Sequence, residues 1–238
     1  MKIITKKTTD LRGFDFNEGV VILMNKPIDW TSYKVVDKIK KILKTKKVGH
    51  AGTLDPLATG LLILCTGKMT KKIHEFQNLL KEYRGKIYFG KKTPTMDRES
   101  FNDSNGTNDI SYLSLGLIRE TAKKFVGEIE QIPPVHSAVW INGKRAYELA
   151  RKGKEVNLKP RKAFIESFEI FNYEPPLADF VVRCSKGTYA RSLANDLGDS
   201  LGCGAFLYEL ERTAIGEFRI EDAITVNELI RLSKESKN

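Results

Sequence analysis

The sequence predicts an α/β protein, because buried strands alternate with amphipathic helices along the chain. Residues 20–24 are short and continuously apolar, as in a buried strand. Residues 35–43 repeat apolar side chains at helical spacing, and residues 83–89 alternate with the period of a strand. A chain of 238 residues can bury the core of one large domain or of two small ones.

The charge of the chain favours a polyanionic partner. Forty Lys and Arg residues against 30 Asp and Glu residues give a formal net charge of +10. An excess of this size is most often found in proteins that bind nucleic acid. A basic enzyme without such a partner could carry the same charge, so composition alone leaves both interpretations open.

The cysteines and the N-terminus indicate a cytoplasmic protein. Cys65, Cys184 and Cys203 are odd in number and widely spaced, so they predict neither a disulfide framework nor a zinc site. Residues 1–19 lack the apolar core of a signal peptide, and we expect them to form a loosely structured leader. No apolar run is long enough to span a bilayer.

The first helix is predicted to begin at a Thr31 or Ser32 cap. Its outer face and the residues that follow carry seven lysines against one acid, Asp37: Lys34, Lys38, Lys40, Lys41, Lys44, Lys46 and Lys47. Such a face is often only solvated. Because it leads directly into residues 50–60, we favour a surface that faces phosphates.

Further elements follow from periodicity and from capping residues. Residues 61–65 are apolar but too short to distinguish strand from helix. The other predicted elements are a helix over 69–80, a loop over 92–110, a helix capped near Ser114, strands over 164–172 and 179–184, a helix after Gly187, a strand pair over 205–220, and a last helix opened by the capping box from Thr225 to Glu228.

Residues 50–60, with the sequence HAGTLDPLATG, contain an unusual carboxylate. Pro56 disfavours helical geometry at Asp55, so Asp55 could cap a helix that starts at Pro56. Alternatively, Asp55 is a catalytic carboxylate presented by a rigid loop. The residues themselves leave both interpretations open.

Arg191 is predicted to lie in the first turn of the helix that follows Gly187. A cation there opposes the positive end of the helix dipole, at a cost of about 0.3–1 kcal/mol if it is exposed. A carboxylate partner would remove that cost, and Asp55 is a candidate. An ordinary surface arginine is the alternative.

Residues 131–162, the thumb segment, combine many cations with aromatic residues. Pro133 and Pro134 exclude a regular helix at its start, and one short helix is expected before Gly153. Trp140 and Tyr147 lie among eight basic residues: Lys144, Arg145, Arg151, Lys152, Lys154, Lys159, Arg161 and Lys162. This mixture suits RNA, because bases stack on aromatic rings while cations follow phosphates.

Five segments in the same order cover most of residues 20–220 and carry a resemblance. They read MNKPIDWTSYKVV (24–36), GHAGTLDPLATGLLILCTGKMTK (49–71), KEYRGKIYFGKKTPTMD (81–97), GEIEQIPPVHSAVWINGKRAYELARKG (127–153) and CSKGTYARSLANDLGDSLGCGAFLYELERTAIGEF (184–218). They resemble the motifs of the TruB family of pseudouridine synthases, which isomerise uridine 55 in the T-loop of tRNA.

The resemblance implies roles for individual residues. Asp55 matches the catalytic aspartate, and Arg191 matches the arginine that pairs with it. Tyr83 matches the tyrosine that stacks on the flipped uracil and later serves in proton removal from C5. The remaining implied contacts with substrate or with the catalytic loop come from Lys26, His50, Tyr189 and Leu210, and from Lys144, Arg145 and Arg151 in the thumb segment.

The resemblance also implies a fold and a set of partners. It predicts a mixed, largely antiparallel sheet flanked by helices, with a central RNA-binding cleft. The catalytic domain would span 20–238, with 131–162 as an RNA-gripping insertion and without the C-terminal PUA-type domain of many bacterial members. The implied partner is the T-arm of tRNA, with no membrane, no obligate protein partner and a monomeric state. No metal or other cofactor is implied, because the reaction is neither a redox reaction nor a hydrolysis.

Two alternative functions and the chemical role of Asp55 stay open at this point. The chain could be a non-catalytic module that binds or folds tRNA, or a pseudouridine synthase for another uridine. If it is the enzyme, Asp55 could attack the base, attack C1′ or remove a ribose proton.

Overall fold

The computed structural model of the chain describes residues 1–102, 107–137, 139–141, 143–154 and 156–236. The strands in this part of the chain are β1 (Ile3–Ile4), β2 (Val21–Lys26), β3 (Val48–His50), β4 (Thr59–Thr66), β5 (Lys81–Phe89), β6 (Gly127–Gln131), β7 (Trp140–Ile141), β8 (Lys144–Arg145), β9 (Arg161–Glu174), β10 (Leu177–Cys184), β11 (Ala205–Ile215) and β12 (Phe218–Arg219). The α-helices are α1 (Ser32–Ile42), α2 (Ile73–Asn78), α3 (Leu115–Lys123), α4 (Ala146–Ala150), α5 (Ala190–Ser200) and α6 (Val226–Glu235).

The chain divides into two compact units. The terminal unit comprises Met1–Tyr83 and Leu210–Asn238, and the middle unit comprises Arg84–Glu209. In the terminal unit β2 and β3 pair antiparallel with β4, whereas the pairs β1–β2 and β4–β11 are parallel. In the middle unit the strand order is β5-β10-β9-β6, and β9 is antiparallel to both of its neighbours. The predicted mixed, largely antiparallel α/β fold is confirmed.

Strand β2 is buried on both faces, which explains its continuous apolar sequence. Ile22 and Met24 belong to the core that α1 and α6 cover, whereas Val21 and Leu23 belong to the core on the α2 side. Alternate residues of a strand point to opposite faces, so a strand covered twice needs apolar residues at every position. Cys65 of β4 lies in the second core, where burial raises the pKa of its thiol to about 12.

The expectation of a loosely structured leader at residues 1–19 is wrong. Strand β1 pairs with β2, and both Ile4 and Leu11 are buried in the core under α1 and α6. The Leu11 backbone N–H donates to the Ser236 hydroxyl at 2.9 Å. Two isolated buried positions are too few to produce a helical or strand periodicity in the sequence. They are nevertheless enough to anchor the segment on the core under α1 and α6.

The interpretation of Asp55 as a helix cap is also wrong. Residues 55–58 form a turn, in which the Ala58 backbone N–H donates to the Asp55 carbonyl oxygen at 3.1 Å. Strand β4 begins immediately afterwards at Thr59, and its pairing with β2 and β11 extends to that end. The chain therefore has no room for a helix between Pro56 and the sheet.

Most other elements match their predictions. The side chain of Thr31 caps α1, Ser114 caps α3, and Thr225 forms the capping box of α6 with Glu228. The predicted loop over 92–110 includes 103–106, and the thumb segment includes 138, 142 and 155; these positions lie outside the described residues. Within the described residues, every helix is too short or too polar to cross a membrane.

Gly60 lies where three strands meet, with Lys26 of β2 as its partner on one side and Arg212 of β11 on the other. It has a φ of 102°, and an added Cβ would lie 2.4 Å from the Arg212 carbonyl oxygen. We expect Gly60→Ala to lower the free energy of unfolding by about 2–5 kcal/mol, because backbone strain and a steric clash both contribute.

Urea denaturation measures this loss, and Gly187→Ala is the matched control. Gly187 also has a positive φ, of 84°, but no atom would lie within 4 Å of its added Cβ. Its loss should therefore contain backbone strain alone, about 1–3 kcal/mol. Equal losses in the two variants would contradict the close strand approach at Gly60.

Candidate active site

Asp55 lies on a loop between β3 and β4, residues 51–58, which we name the Asp55 loop. Its backbone is fastened to the beginning of α1. The Leu54 N–H donates to the Ser32 hydroxyl at 2.9 Å, and the same hydroxyl is 3.2 Å from the Leu54 carbonyl oxygen. The Asp29 N–H donates to the Pro56 carbonyl oxygen at 2.9 Å. The residues on both sides of Asp55 therefore have fixed positions.

Lys26 is fully buried beside this loop. Its Nζ donates to the carbonyl oxygens of Pro27 at 3.0 Å, Trp30 at 2.6 Å and Pro56 at 3.2 Å. Burial lowers the pKa of Lys26 to about 8, although the negative charge of Asp55 partly offsets this effect. Lys26, to which the resemblance assigns a contact with the catalytic loop, therefore connects the turn before α1 to the Asp55 loop.

Arg212 also holds the loop, although no signal in the sequence identifies it. Its side chain is buried, donates from Nε to the Leu61 carbonyl oxygen at 2.7 Å and donates from Nη2 to the Gly52 carbonyl oxygen at 3.1 Å. Lys26 contacts the loop at Pro56, whereas Arg212 contacts it at Gly52. Two cations thus fix the Asp55 loop through its carbonyl oxygens.

His50 ends β3 immediately before the loop and pairs with Leu64 of β4. Burial lowers the pKa of its imidazole, a hydrogen bond with the Gly52 backbone partly offsets the shift, and the nearby Arg212 charge lowers it further. Because an unperturbed histidine titrates near pH 6.5, His50 is neutral at pH 7.

Tyr83 and Leu210 are half-buried residues of β5 and β11 in the terminal unit. The chain is held at two residues that precede Tyr83. The Gly216 N–H donates to the Leu80 carbonyl oxygen at 2.8 Å, and the Thr213 hydroxyl donates to the Glu82 carboxylate at 2.8 Å. Tyr83 therefore follows a stretch of chain that Thr213 and Gly216 hold in place.

Arg191 is buried in the first turn of α5, in the middle unit. Its guanidinium donates to the carbonyl oxygens of Thr95 and His136, both at 3.1 Å, and Nη1 lies 3.5 Å from the Asp97 carboxylate. Asp97 thus supplies the carboxylate partner that an arginine at this end of a helix requires. The pairing of Arg191 with Asp55 stays a prediction.

The thumb segment has a small apolar core of its own. Val139, Ala146 and Leu158 are buried together, and Tyr189 packs against them. Outside this core the cations lie over aromatic rings. The Arg145 guanidinium is 4.1 Å from the centre of the Trp140 ring, which is 61% exposed. Arg151 is likewise 5.7 Å from the Tyr147 ring.

Two contacts of the Asp55 loop have no signal in the sequence that would predict them. Ser32 was considered only as a possible cap, and Arg212 was not distinguished from surface arginines. Both act on backbone groups that are remote in sequence. No pattern of neighbouring residues distinguishes a buried arginine from an exposed one. The carbonyl oxygens that it contacts come close to it only in the folded chain.

Comparisons with known proteins identify the family. The model for the N-terminal domain of TruB family pseudouridylate synthase matches residues 40–190, and the model for the C-terminal domain of tRNA pseudouridylate synthase B matches residues 191–238. The fold and the two matches define a pseudouridylate synthase. The chain belongs to the TruB family.

Full-length relatives and solved structures agree with this assignment. The tRNA pseudouridine synthase B of Phocaeicola vulgatus is 47% identical over 218 residues, which cover 89% of this chain and 92% of that protein. A chain of a Cbf5–Nop10–Gar1 complex superposes with a TM-score of 0.69 at 32% identity, covering 91% of this chain and 54% of its own length. A chain of an H/ACA RNP bound to a substrate RNA superposes with a TM-score of 0.68 at 29% identity, covering 92% of this chain and 55% of its own.

The burial of Lys26 makes a prediction about pH. In the unfolded chain its pKa is near 10.5, against about 8 in the fold, so the unfolded state binds more protons between these values. The contribution of Lys26 to the free energy of unfolding therefore rises as the pH increases from 8 to 10.5. Relative to Lys26→Met, we expect the free energy of unfolding of the wild type to increase by up to about 3 kcal/mol across this window.

Chemical denaturation of both proteins at pH 8, 9 and 10 tests this prediction. The Met variant keeps the length of the side chain but cannot titrate, so the difference between the two curves isolates Lys26. Stability curves that run parallel with pH would contradict the burial of a protonated amine.

Proposed function

We propose that this chain converts uridine 55 in the T-loop of tRNA into pseudouridine. The observation that carries the proposal is the Asp55 loop, whose carbonyl oxygens are held by two buried cations. A loop held in this way keeps the Asp55 carboxylate in one position. The names and the coverage of the full-length relatives support tRNA as the substrate.

The proposed reaction is an isomerisation in which atoms and electrons balance within the nucleotide. The C1′–N1 bond breaks, the uracil turns, a C5–C1′ bond forms, and the proton on C5 is lost to solvent while N1 gains one. The uridine must first leave its stack, at a cost of roughly a few kcal/mol. Stacking on Tyr83 would offset about 1–3 kcal/mol of that cost.

Asp55 is the catalytic carboxylate of this proposal. It could attack the base, attack C1′ or remove a ribose proton, and each of these roles requires an ionised group at a fixed position. Arg191 is proposed to keep Asp55 ionised and oriented. Tyr189 and Leu210 are proposed to line the uracil pocket.

The thumb segment is proposed to grip the T-arm. Lys144, Arg145 and Arg151 would neutralise phosphates, and the exposed Trp140 offers a face for stacking. His50 would enter the T-loop as a neutral ring, which can donate and accept hydrogen bonds. The domain limits of 20–238, the RNA-binding cleft, a monomeric state and a cytoplasmic location stay predictions.

Tritium release from tRNA labelled at C5 of uridine tests the reaction. We expect Asp55→Asn to lower the rate at least about 1,000-fold, because the substitution removes the ionised carboxylate but keeps its size. The control is Asp37→Asn, which removes an exposed carboxylate that pairs with Lys41.

Two results would contradict the proposal. Tight tRNA binding without any tritium release by the wild type would indicate a non-catalytic module. Undiminished release from tRNA in which position 55 is not uridine would indicate another target.

The thumb segment makes a separate prediction about salt. Alanine at Lys144, Arg145, Arg151 and Lys152 should weaken tRNA binding and reduce the slope of log K against log salt by about 0.7–0.9 for each lost phosphate contact. Filter binding at several salt concentrations measures the slope. Alanine at Lys6, Lys7, Lys123 and Lys124 removes the same charge elsewhere, and an equal effect of the two sets would argue against a grip by the thumb segment.

A further inference from the structure

Gln131, the last residue of β6, makes an unusual pair of contacts. It is 2% exposed, and its carboxamide meets both backbone groups of Tyr189. Its Oε1 accepts from the Tyr189 N–H at 3.0 Å, and its Nε2 donates to the Tyr189 carbonyl oxygen at 3.4 Å. A carboxamide is neutral and can donate and accept hydrogen bonds in one plane. It can therefore bond the backbone N–H and the carbonyl oxygen of the same residue.

The contacts of Gln131 continue along the segment that follows it. The Ser192 hydroxyl donates to the Ile132 carbonyl oxygen at 2.7 Å, and Arg191 donates to the His136 carbonyl oxygen at 3.1 Å. Residues 131–136 therefore fasten the beginning of α5 at three positions. These positions include two of the proposed site residues.

Residues 131–136 are the beginning of the thumb segment, and further hydrogen bonds connect the residues that follow them. The Ser137 carbonyl oxygen accepts from the Tyr147 N–H at 3.1 Å, and the Val139 carbonyl oxygen accepts from the Ala146 N–H at 2.8 Å. Tyr189 packs its ring against the apolar core of the thumb segment. One stretch of chain thus holds the base of the thumb on one side and the first turn of α5 on the other.

We propose that Gln131 is a positioning residue for the proposed reaction. It acts through Tyr189 and Arg191, because it fixes the first turn of α5 relative to the base of the thumb. RNA held by the thumb is then presented to both side chains in one geometry. This inference rests on the proposed function, and it concerns the chemical step rather than affinity.

The first test compares Gln131→Met with the wild type. Methionine keeps the volume but removes both hydrogen bonds to Tyr189. We expect the single-turnover rate of pseudouridine formation at saturating enzyme to fall by about 10- to 100-fold, as small misplacements of catalytic groups do. The Kd for tRNA should stay within about threefold, since phosphate contacts dominate affinity. Gln77→Met, at an exposed glutamine of α2, is the matched control.

The second test uses Gln131→Glu and pH. A protonated glutamic acid donates and accepts as glutamine does, whereas its carboxylate repels the Tyr189 carbonyl oxygen. The rate of this variant relative to the wild type should therefore rise as pH falls from 8.5 to 6. A residue that only supported the fold would give no such recovery. This variant also decides the question if Gln131→Met does not fold.

The outcomes separate the inference from the proposed function. A wild type that forms no pseudouridine overturns the proposed function, and the inference with it. An active wild type together with Gln131 variants of normal single-turnover rate overturns the inference alone. A weaker Kd at an unchanged rate also overturns it, because Gln131 would then serve only the grip on RNA.

Discussion

The terminal unit depends on the row of residues in which Gly60 lies between Lys26 and Arg212. Only glycine lets β11 approach β4 this closely at Gly60. The two neighbours are buried cations, and burying a cation is unfavourable unless it is hydrogen-bonded. Both cations donate to carbonyl oxygens in the Asp55 loop or next to it. The same hydrogen bonds therefore stabilise the row of residues and fix the position of the loop.

The middle unit holds its own buried cation in a comparable way. Arg191 donates to two backbone carbonyl oxygens and lies beside Asp97, which also accepts from the Thr95 hydroxyl at 2.6 Å. Backbone acceptors are supplied by the fold and do not titrate. A guanidinium held mainly by such acceptors keeps its direction over a wide pH range, and its planar donors can serve several partners at once.

The sequence predicted elements with strong local signals. The caps at Thr31 and Ser114 and the buried strand β2 follow from side chains that act within a few residues. The helix start at the Asp-Pro turn, one of the two interpretations that the residues leave open, is excluded because β4 begins at Thr59 and pairs there with β11. Asp97 and Gln131 contact residues 94 and 58 positions away, since Arg191 and Tyr189 lie in α5 or at its start. The family motifs predict the site residues, but they carry no information on the contacts that hold these residues in place.

The proposed role of the thumb segment in RNA binding gives these long-range contacts a function. Among its described residues, the thumb segment has a core of three buried apolar side chains, too few to fix its orientation independently. A small element of this kind can adapt to RNA, but its movements would then displace the residues that are bonded to its base. Here the base is attached to the first turn of α5 by hydrogen bonds to Tyr189, Arg191 and Ser192. Adaptable RNA binding and a fixed site geometry are compatible only if residues 131–136 stay rigid, and Gln131 is the buried side chain that secures this segment at its beginning.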